Sequence, residues 1–346
     1  MPEPIAPANA VCLTIGDPTG IGPEIAVKFL QHATLHPDGP KLIVYGDIGQ
    51  LAHTAQVLHC TLPETERIRY ENIQNTGFNQ PEKLPGTIAC ESIEAAVSAI
   101  HAGQARVLVT GPISKENLEA ANIPFSGHTE ILQQLARKLY KQPCQSDMLF
   151  LYRQFRMLLL TRHVPLRKVS ESLSIKGVVQ SLSSLSGFLK GHCRIEKPRL
   201  CMLGVNPHAG ELDGDEEERI LLPATRMISE KYGFDIAPPV AADAAFRHFD
   251  VNNLHYDAYV AAYHDQGLIP FKMVAGLSAV NVTIGLPFLR TSVSHGTAPD
   301  IVGQGIADPA SLIEAYNTAV QLTFPEPSPQ PPAFMETRSH PASLSS

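Results

Sequence analysis

Eight short apolar runs, none holding a charged residue, recur along the chain at 11–15, 42–45, 107–110, 148–152, 157–161, 200–205, 259–263 and 280–284. Each stops at a turn residue or a polar side chain, and their length and β-branched content fit strands buried on both faces. Between them lie helical patterns, as at 24–30, 91–101, 130–140, 216–231 and 309–323. Buried strands alternating with helices call for parallel pairing with helices packed on the faces. The pattern predicts an α/β protein with a mostly parallel sheet core. In a chain of 346 residues, residues 11–324 are expected to form a two-lobed α/β unit, its lobes discontinuous in sequence. The polar stretch 60–85 reads as a small β excursion or a long loop. Residues 1–10 are expected to be flexible, and the Pro- and Ser-rich tail 325–346 to be disordered.

Composition narrows the class of function. The net charge of −7 gives no surface for nucleic acid or an anionic membrane, so an anionic substrate must be held by a few local cations. The six cysteines lie far apart without a CxxC pair, which fits a reducing compartment. No basic segment followed by an apolar core opens the chain, and the charge-free stretch 273–289 is short of the ~20 apolar residues of a spanning helix. A cytoplasmic enzyme without a membrane role is expected.

The most informative polar pattern is repeated three times. His163, His208 and His264 each stand just past the carboxyl end of a predicted buried strand, the sheet edge where open α/β folds bind ligands. Singly, each is as well read as a hydrogen-bonded structural histidine. Together they suit Zn²⁺ or a similar divalent ion with open positions for substrate. His128 and Thr129 open a helix whose free N–H groups favour an anion, although Ser126 or Thr129 can equally be an ordinary cap. Lys272, Asn281 and Arg290 flank an uncharged stretch and would make a phosphate clamp, unless the two cations merely mark where the chain reaches solvent.

Two glycine-rich loops follow strands. Residues 16–24, GDPTGIGPE, lack the third glycine of the Rossmann fingerprint, and no phosphate-binding GxxxxGK[ST] loop occurs. A bound dinucleotide would therefore use the loop 295–305, which on spacing alone is a structural turn.

With these segments assembled, GDPTGIGPE, VTGPISK, SGHTE, LLLTRHVPL, NPHAGE, ADAAF, YHDQGLIPFK and NVTIGLPFLRTSVSHGTA occur in this order between about residues 11 and 323. The chain resembles the 4-hydroxythreonine-4-phosphate dehydrogenase family of pyridoxal phosphate biosynthesis, within the isocitrate/isopropylmalate dehydrogenase-like superfamily. The resemblance implies an active-site cleft between two lobes and NAD or NADP held without a Rossmann motif by His295, Gly296, Thr297, Ala298 and Asp300. It implies one divalent metal ion per site (Zn, Mg or Co) on His163, His208 and His264. Substrate contacts fall on His128, Thr129, Lys272, Asn281 and Arg290. Asp243 or Lys272 would take the hydroxyl proton, with Asp265 supporting. The family is homodimeric, each active site drawing on both subunits, and its substrate is oxidised and decarboxylated to 3-amino-2-oxopropyl phosphate.

The chain departs from the family at Ser294, where Asp is usual, at Pro299, where Leu is frequent, and in a shorter loop at 211–215. Ser294 keeps open a related dehydrogenase acting on D-threonate or D-erythronate 4-phosphate. A phosphate-dependent acyltransferase and a non-catalytic metal- or ligand-binding α/β protein are readings of other classes. Neither needs metal and dinucleotide elements at once.

Overall fold

In the computed structural model, which describes residues 9–33, 39–73, 83–211 and 214–324, the apolar runs become strands of one sheet. They are β1 (Ala10–Thr14), β2 (Lys41–Gly46), β3 (Ile68–Asn72), β4 (Val107–Thr110), β5 (Asp147–Tyr152), β6 (Phe155–Leu159), β7 (Arg199–Leu203), β8 (Asp235–Val240), β9 (Ala258–Ala261), β10 (Val280–Ile284) and β11 (Leu289–Ser292). Their order across the sheet is β3-β2-β1-β4-β11-β10-β5-β6-β9-β7-β8. Pairing is parallel on both flanks, and antiparallel only between β11 and β10, β10 and β5, and β5 and β6. The α/β class and the mostly parallel sheet are as expected. The two flanks therefore run in opposite directions, and their carboxyl ends lie on opposite edges.

The sheet is continuous, and it is the helix layer on one of its faces that divides. One face is covered continuously, with Val11, Val109, Leu149, Val260 and Val282 among its buried strand residues. On the other face the helices Pro85–His101 and His128–Tyr140 cover β1, β2 and β4, through residues such as Ile93 and Leu132. The helix His264–Ala275 covers β6, β9 and β7, its Phe271 packing on Phe155 at 4.8 Å and on Phe150 at 5.9 Å. A cleft opens between these two covers, over the antiparallel strands. Phe271 is fully buried, so Phe271→Ala should cost about 3–5 kcal/mol, measurable by urea unfolding, and should loosen the helix that borders the cleft.

β3 falls in the stretch 60–85, where a small β excursion or a long loop is expected and of which residues 74–82 lie outside the described residues; β8 and β11 have no counterpart among the apolar runs. β3 and β8 are edge strands. β8 carries Pro238 and Pro239, tolerable only where no neighbour needs the missing N–H. β11 is four residues long and contains Arg290. Residues 1–8 of the expected flexible start, the 325–346 tail and positions 212–213 of the shortened loop lie outside the described residues. Among the described residues no helix is long and apolar enough to cross a membrane, and the six cysteines are unpaired.

Candidate active site

Strand register decides what the cleft floor presents. Asn281 stands opposite Phe150 on one side and Ser292 on the other; Thr283 likewise faces Met148 and Arg290. Arg290 and Ser292 in turn pair with Leu108 and Thr110 of β4. Because side chains alternate along a strand, these residues share one face, the one that the split helix layer leaves open. Above them is a cavity of about 880 Å³, large enough for a sizeable ligand. His128, Thr129, His163, His264, Lys272, Asn281, Arg290, His295 and Gly296 line it, so helix termini, strand interiors and loops from both lobes meet at one place.

Arg290 is the electrostatic centre. Its side chain is 2% exposed, and its guanidinium donates only to hydroxyls: Nε to Thr110 Oγ1 at 3.1 Å, Nη2 to the same oxygen at 2.6 Å, and Nη1 to Thr283 Oγ1 at 3.0 Å. Burial pushes it down to about 9, so it remains charged at neutral pH. His128 lies close by and hydrogen-bonds the Gly111 backbone. Burial, followed by the Arg290 charge, holds its imidazole neutral, well below the usual histidine range. Its Nε2 and the Oδ1 of Asn281 are buried without a hydrogen-bond partner. Such orphaned groups are costly in a finished core. In a cleft they fit contacts reserved for a ligand.

The lining is also unbalanced in charge. Lys115, Arg162, Lys272 and Arg290 face the cavity, against Glu130 as its carboxylate among the described residues. A protein of net charge −7 thus holds a local positive basin, suited to a substrate with more than one negative group. Lys115, Arg162 and the two threonines under Arg290 were not picked out from the sequence. Arg162 was legible as the neighbour of His163. Thr110 and Thr283 sit inside apolar runs, and only strand pairing gives them meaning.

The histidines divide. His163 and His264 share the cavity, their ring centroids 5.6 Å apart. Burial, then the neighbouring His264, Lys115 and Arg162, lowers the His163 pKa and favours the neutral form. His264 Nδ1 is 2.7 Å from Asp265 Oδ1, an arrangement that orients the ring and leaves Nε2 for a ligand. With metal–nitrogen bonds of about 2.0–2.1 Å, two rings on one ion have centroids roughly 5–6 Å apart, so this pair fits a shared divalent cation.

His208 does not line the cavity, and no group of three or more His, Cys, Asp or Glu residues is placed to hold a metal ion among the described residues of the single chain. It is exposed instead, on a turn where His208 and Ala209 both take left-handed backbone at φ 55°. That turn is rigidly held. Asn206 N donates to the buried Glu217 Oε1 at 2.8 Å, and Asn206 Nδ2 to Glu216 and Glu217 at 2.7 and 2.9 Å. A strained backbone presenting an imidazole to the outside is expected to have a use.

Asp243 and Asp265 also lie outside the cavity lining. Asp243 is exposed on the short helix Ala242–Ala245, and Asp265 borders an outer hollow with Ala242, Phe246 and Ile269. Thr297, Ala298 and Asp300, further along the same loop, are not among the residues lining the cavity. Thr297 O accepts from Ile21 N at 3.0 Å, which joins the two glycine-rich loops that the sequence singled out separately.

Comparison with known proteins follows the same chemistry. The family model described as pyridoxal phosphate biosynthetic protein PdxA matches residues 38–319. The 4-hydroxythreonine-4-phosphate dehydrogenase of Thermosynechococcus vestitus is 37% identical, over 91% of this chain and 97% of its own length. The crystal structure of the Klebsiella pneumoniae enzyme of that name superposes with a TM-score of 0.77 at 29% identity, covering 91% of this chain and all of the other. A protein of Oceanobacillus iheyensis, provisionally assigned as a D-threonate 4-phosphate dehydrogenase, is 31% identical over 90% of this chain and 96% of its own.

Proposed function

The chain belongs to the PdxA family of pyridoxal phosphate biosynthetic proteins, and we propose that it oxidises 4-phosphooxy-L-threonine at its C3 hydroxyl with NAD or NADP, with loss of CO₂ to give 3-amino-2-oxopropyl phosphate. The observation that carries this reading is the buried Arg290, charged and without a carboxylate partner, in a cavity that also holds two histidines suited to a metal ion. Arg290 binds the phosphate, and the buried Asn281 and His128 beside it are further substrate contacts. Thr129, at the N-terminus of its helix, adds backbone N–H groups to the same end of the substrate. Binding energy from that end holds the reacting carbon in place. Lys272, which lines the cavity, would accept the hydroxyl proton in its uncharged amine form. His163 and His264 would hold a divalent cation, Zn, Mg or Co, which when bound polarises oxygen atoms and lowers the pKa of a hydroxyl.

The third histidine comes from a second copy of the chain. His208 and Asp243 face outward, and beside them the helix His264–Ala275 exposes Ile269 and Met273, one turn apart at 61% and 81% exposure, with Leu277 following at 62%. An apolar stripe of this kind bordering a half-built site fits a homodimer whose two chains share each active site. His208 of one protomer then completes the pair His163 and His264 of its partner, and Asp243 enters from the same side as a further proton acceptor. The unpaired cysteines and a small phosphorylated substrate fit a cytoplasmic enzyme.

Turnover followed by nicotinamide absorbance tests the proposal. With 4-phosphooxy-L-threonine, reduced cofactor should accumulate and stop accumulating when a chelator strips the metal. Turnover indifferent to the chelator would remove the metal from the reading, and no change in absorbance would favour a non-redox protein of the same fold. Faster turnover of D-threonate 4-phosphate would shift the substrate to the related sugar acids, which the neutral Ser294 in the cavity wall leaves room for.

A further inference from the structure

The loop 295–305 is tied at both ends to the segment that follows β1. At its start, Ile21 N donates to Thr297 O at 3.0 Å, and Gly20 approaches so closely that a Cβ there would stand 2.7 Å from Thr297 Cβ. Past its end, Glu24 on the helix Gly22–Ala33 is 4% exposed and accepts from Ala307 N at 2.7 Å. Lys28, one turn further along, spends its ammonium on three acceptors: Glu24 Oε1 at 2.8 Å, Gly305 O at 2.9 Å and Ala307 O at 2.6 Å. An ammonium has three N–H donors, so this clamp is complete. Neither Glu24 nor Lys28 lines the cavity.

Such a clamp is chemically specific. Burying a carboxylate costs free energy that apolar packing would avoid, and what it achieves here is to fix the direction of two backbone carbonyls and one N–H. The loop needs fixing, because Ala298, Gly303 and Gly305 all take left-handed backbone, at φ 42°, 75° and 71°, and the segment has no sheet or long helix to hold it. We infer that Glu24 and Lys28 are positioning residues for the dinucleotide: they hold the loop in the shape that receives it, so that little ordering remains when it binds. The inference rests on the reading that 295–305 is the cofactor loop.

The test compares Lys28→Met, Glu24→Gln and Lys28→Arg with Asp300→Ala, which alters the loop itself. Binding of NADH or NADPH is read from its own emission, in a chain without tryptophan. Lys28→Met and Glu24→Gln should each weaken cofactor binding by about tenfold or more, the worth of a charge-assisted hydrogen bond. The turnover number at saturating cofactor and the KM for phosphorylated substrate should change little, and Lys28→Arg should recover most of the affinity. Wild-type affinity in a folded Glu24→Gln or Lys28→Met variant, where Asp300→Ala has lost it, would overturn the clamp and leave the cofactor loop standing. Equal losses in cofactor binding, turnover number and substrate KM would do the same, since they would mark a general structural role. Normal affinity in Asp300→Ala as well would overturn the cofactor-loop reading and the clamp with it.

Discussion

Arg290→Met should bind the phosphorylated substrate about a hundredfold more weakly, keep its cofactor affinity, and yet melt at a higher temperature than the wild type when no ligand is present. The loss follows from removing one member of a desolvated charge pair, which costs about 2–5 kcal/mol, or roughly 30- to 4,000-fold. The gain follows from the unliganded state. There the guanidinium is buried with only hydroxyl partners, and a buried charge without a counter-ion destabilises the fold that carries it. The pH dependence has a definite sign. Burial lowers this base to about 9 in the folded chain, so the folded state holds the proton less tightly than the unfolded state does. The destabilisation is full at every pH below about 9 and fades only above it, so the thermal gain should be constant between pH 5 and 8. Thr110 and Thr283 lose a donor in the variant, which offsets part of the gain. Substrate and cofactor KM values beside melting temperatures check both halves. A rise in both KM values alike would refute the phosphate clamp.

His163→Ala and His208→Ala should both abolish turnover and both release metal, although only His163 lines the cavity of its own chain. Removing a ligand should exceed the roughly 10- to 100-fold penalty typical of a group that merely orients one, and Asp265→Asn, acting through the 2.7 Å contact to His264, should fall in that smaller range. The gradation can be read from metal content after dialysis together with kcat. If His208→Ala kept full metal content and full activity, the site would belong to one chain and the third ligand would be some other group.

Much of this was legible in the residues. The eight charge-free runs became eight strands because burial on both faces leaves no room for charge, and the mostly parallel sheet followed from their alternation with helices. The antiparallel centre was not legible. Nothing in the run at 280–284 says that β10 reverses against both neighbours, yet this reversal lets Asn281 and Arg290 look out of one face. The strand-end rule located His163, His208 and His264 correctly in topology, but a topological position does not fix where a ring points. His208 follows its strand by five residues and a left-handed turn sends it outward. Arg290 reads from the sequence as a cation near solvent or a clamp, and its burial removes the first of these. Asp243 stands in a motif shared with the family, but in the chain it is exposed and outside the cavity lining, which the motif alone does not reveal.

The most direct measurement mixes two inactive proteins. His163→Ala chains and His208→Ala chains, dissociated and reassociated together, should form mixed dimers in half the population. Each has one site carrying both lesions and one carrying neither. Activity should return to about a quarter of the wild-type value, with metal at the restored sites. A mixture that stays dead while wild-type chains survive the same treatment would show that the three imidazoles do not meet across two subunits.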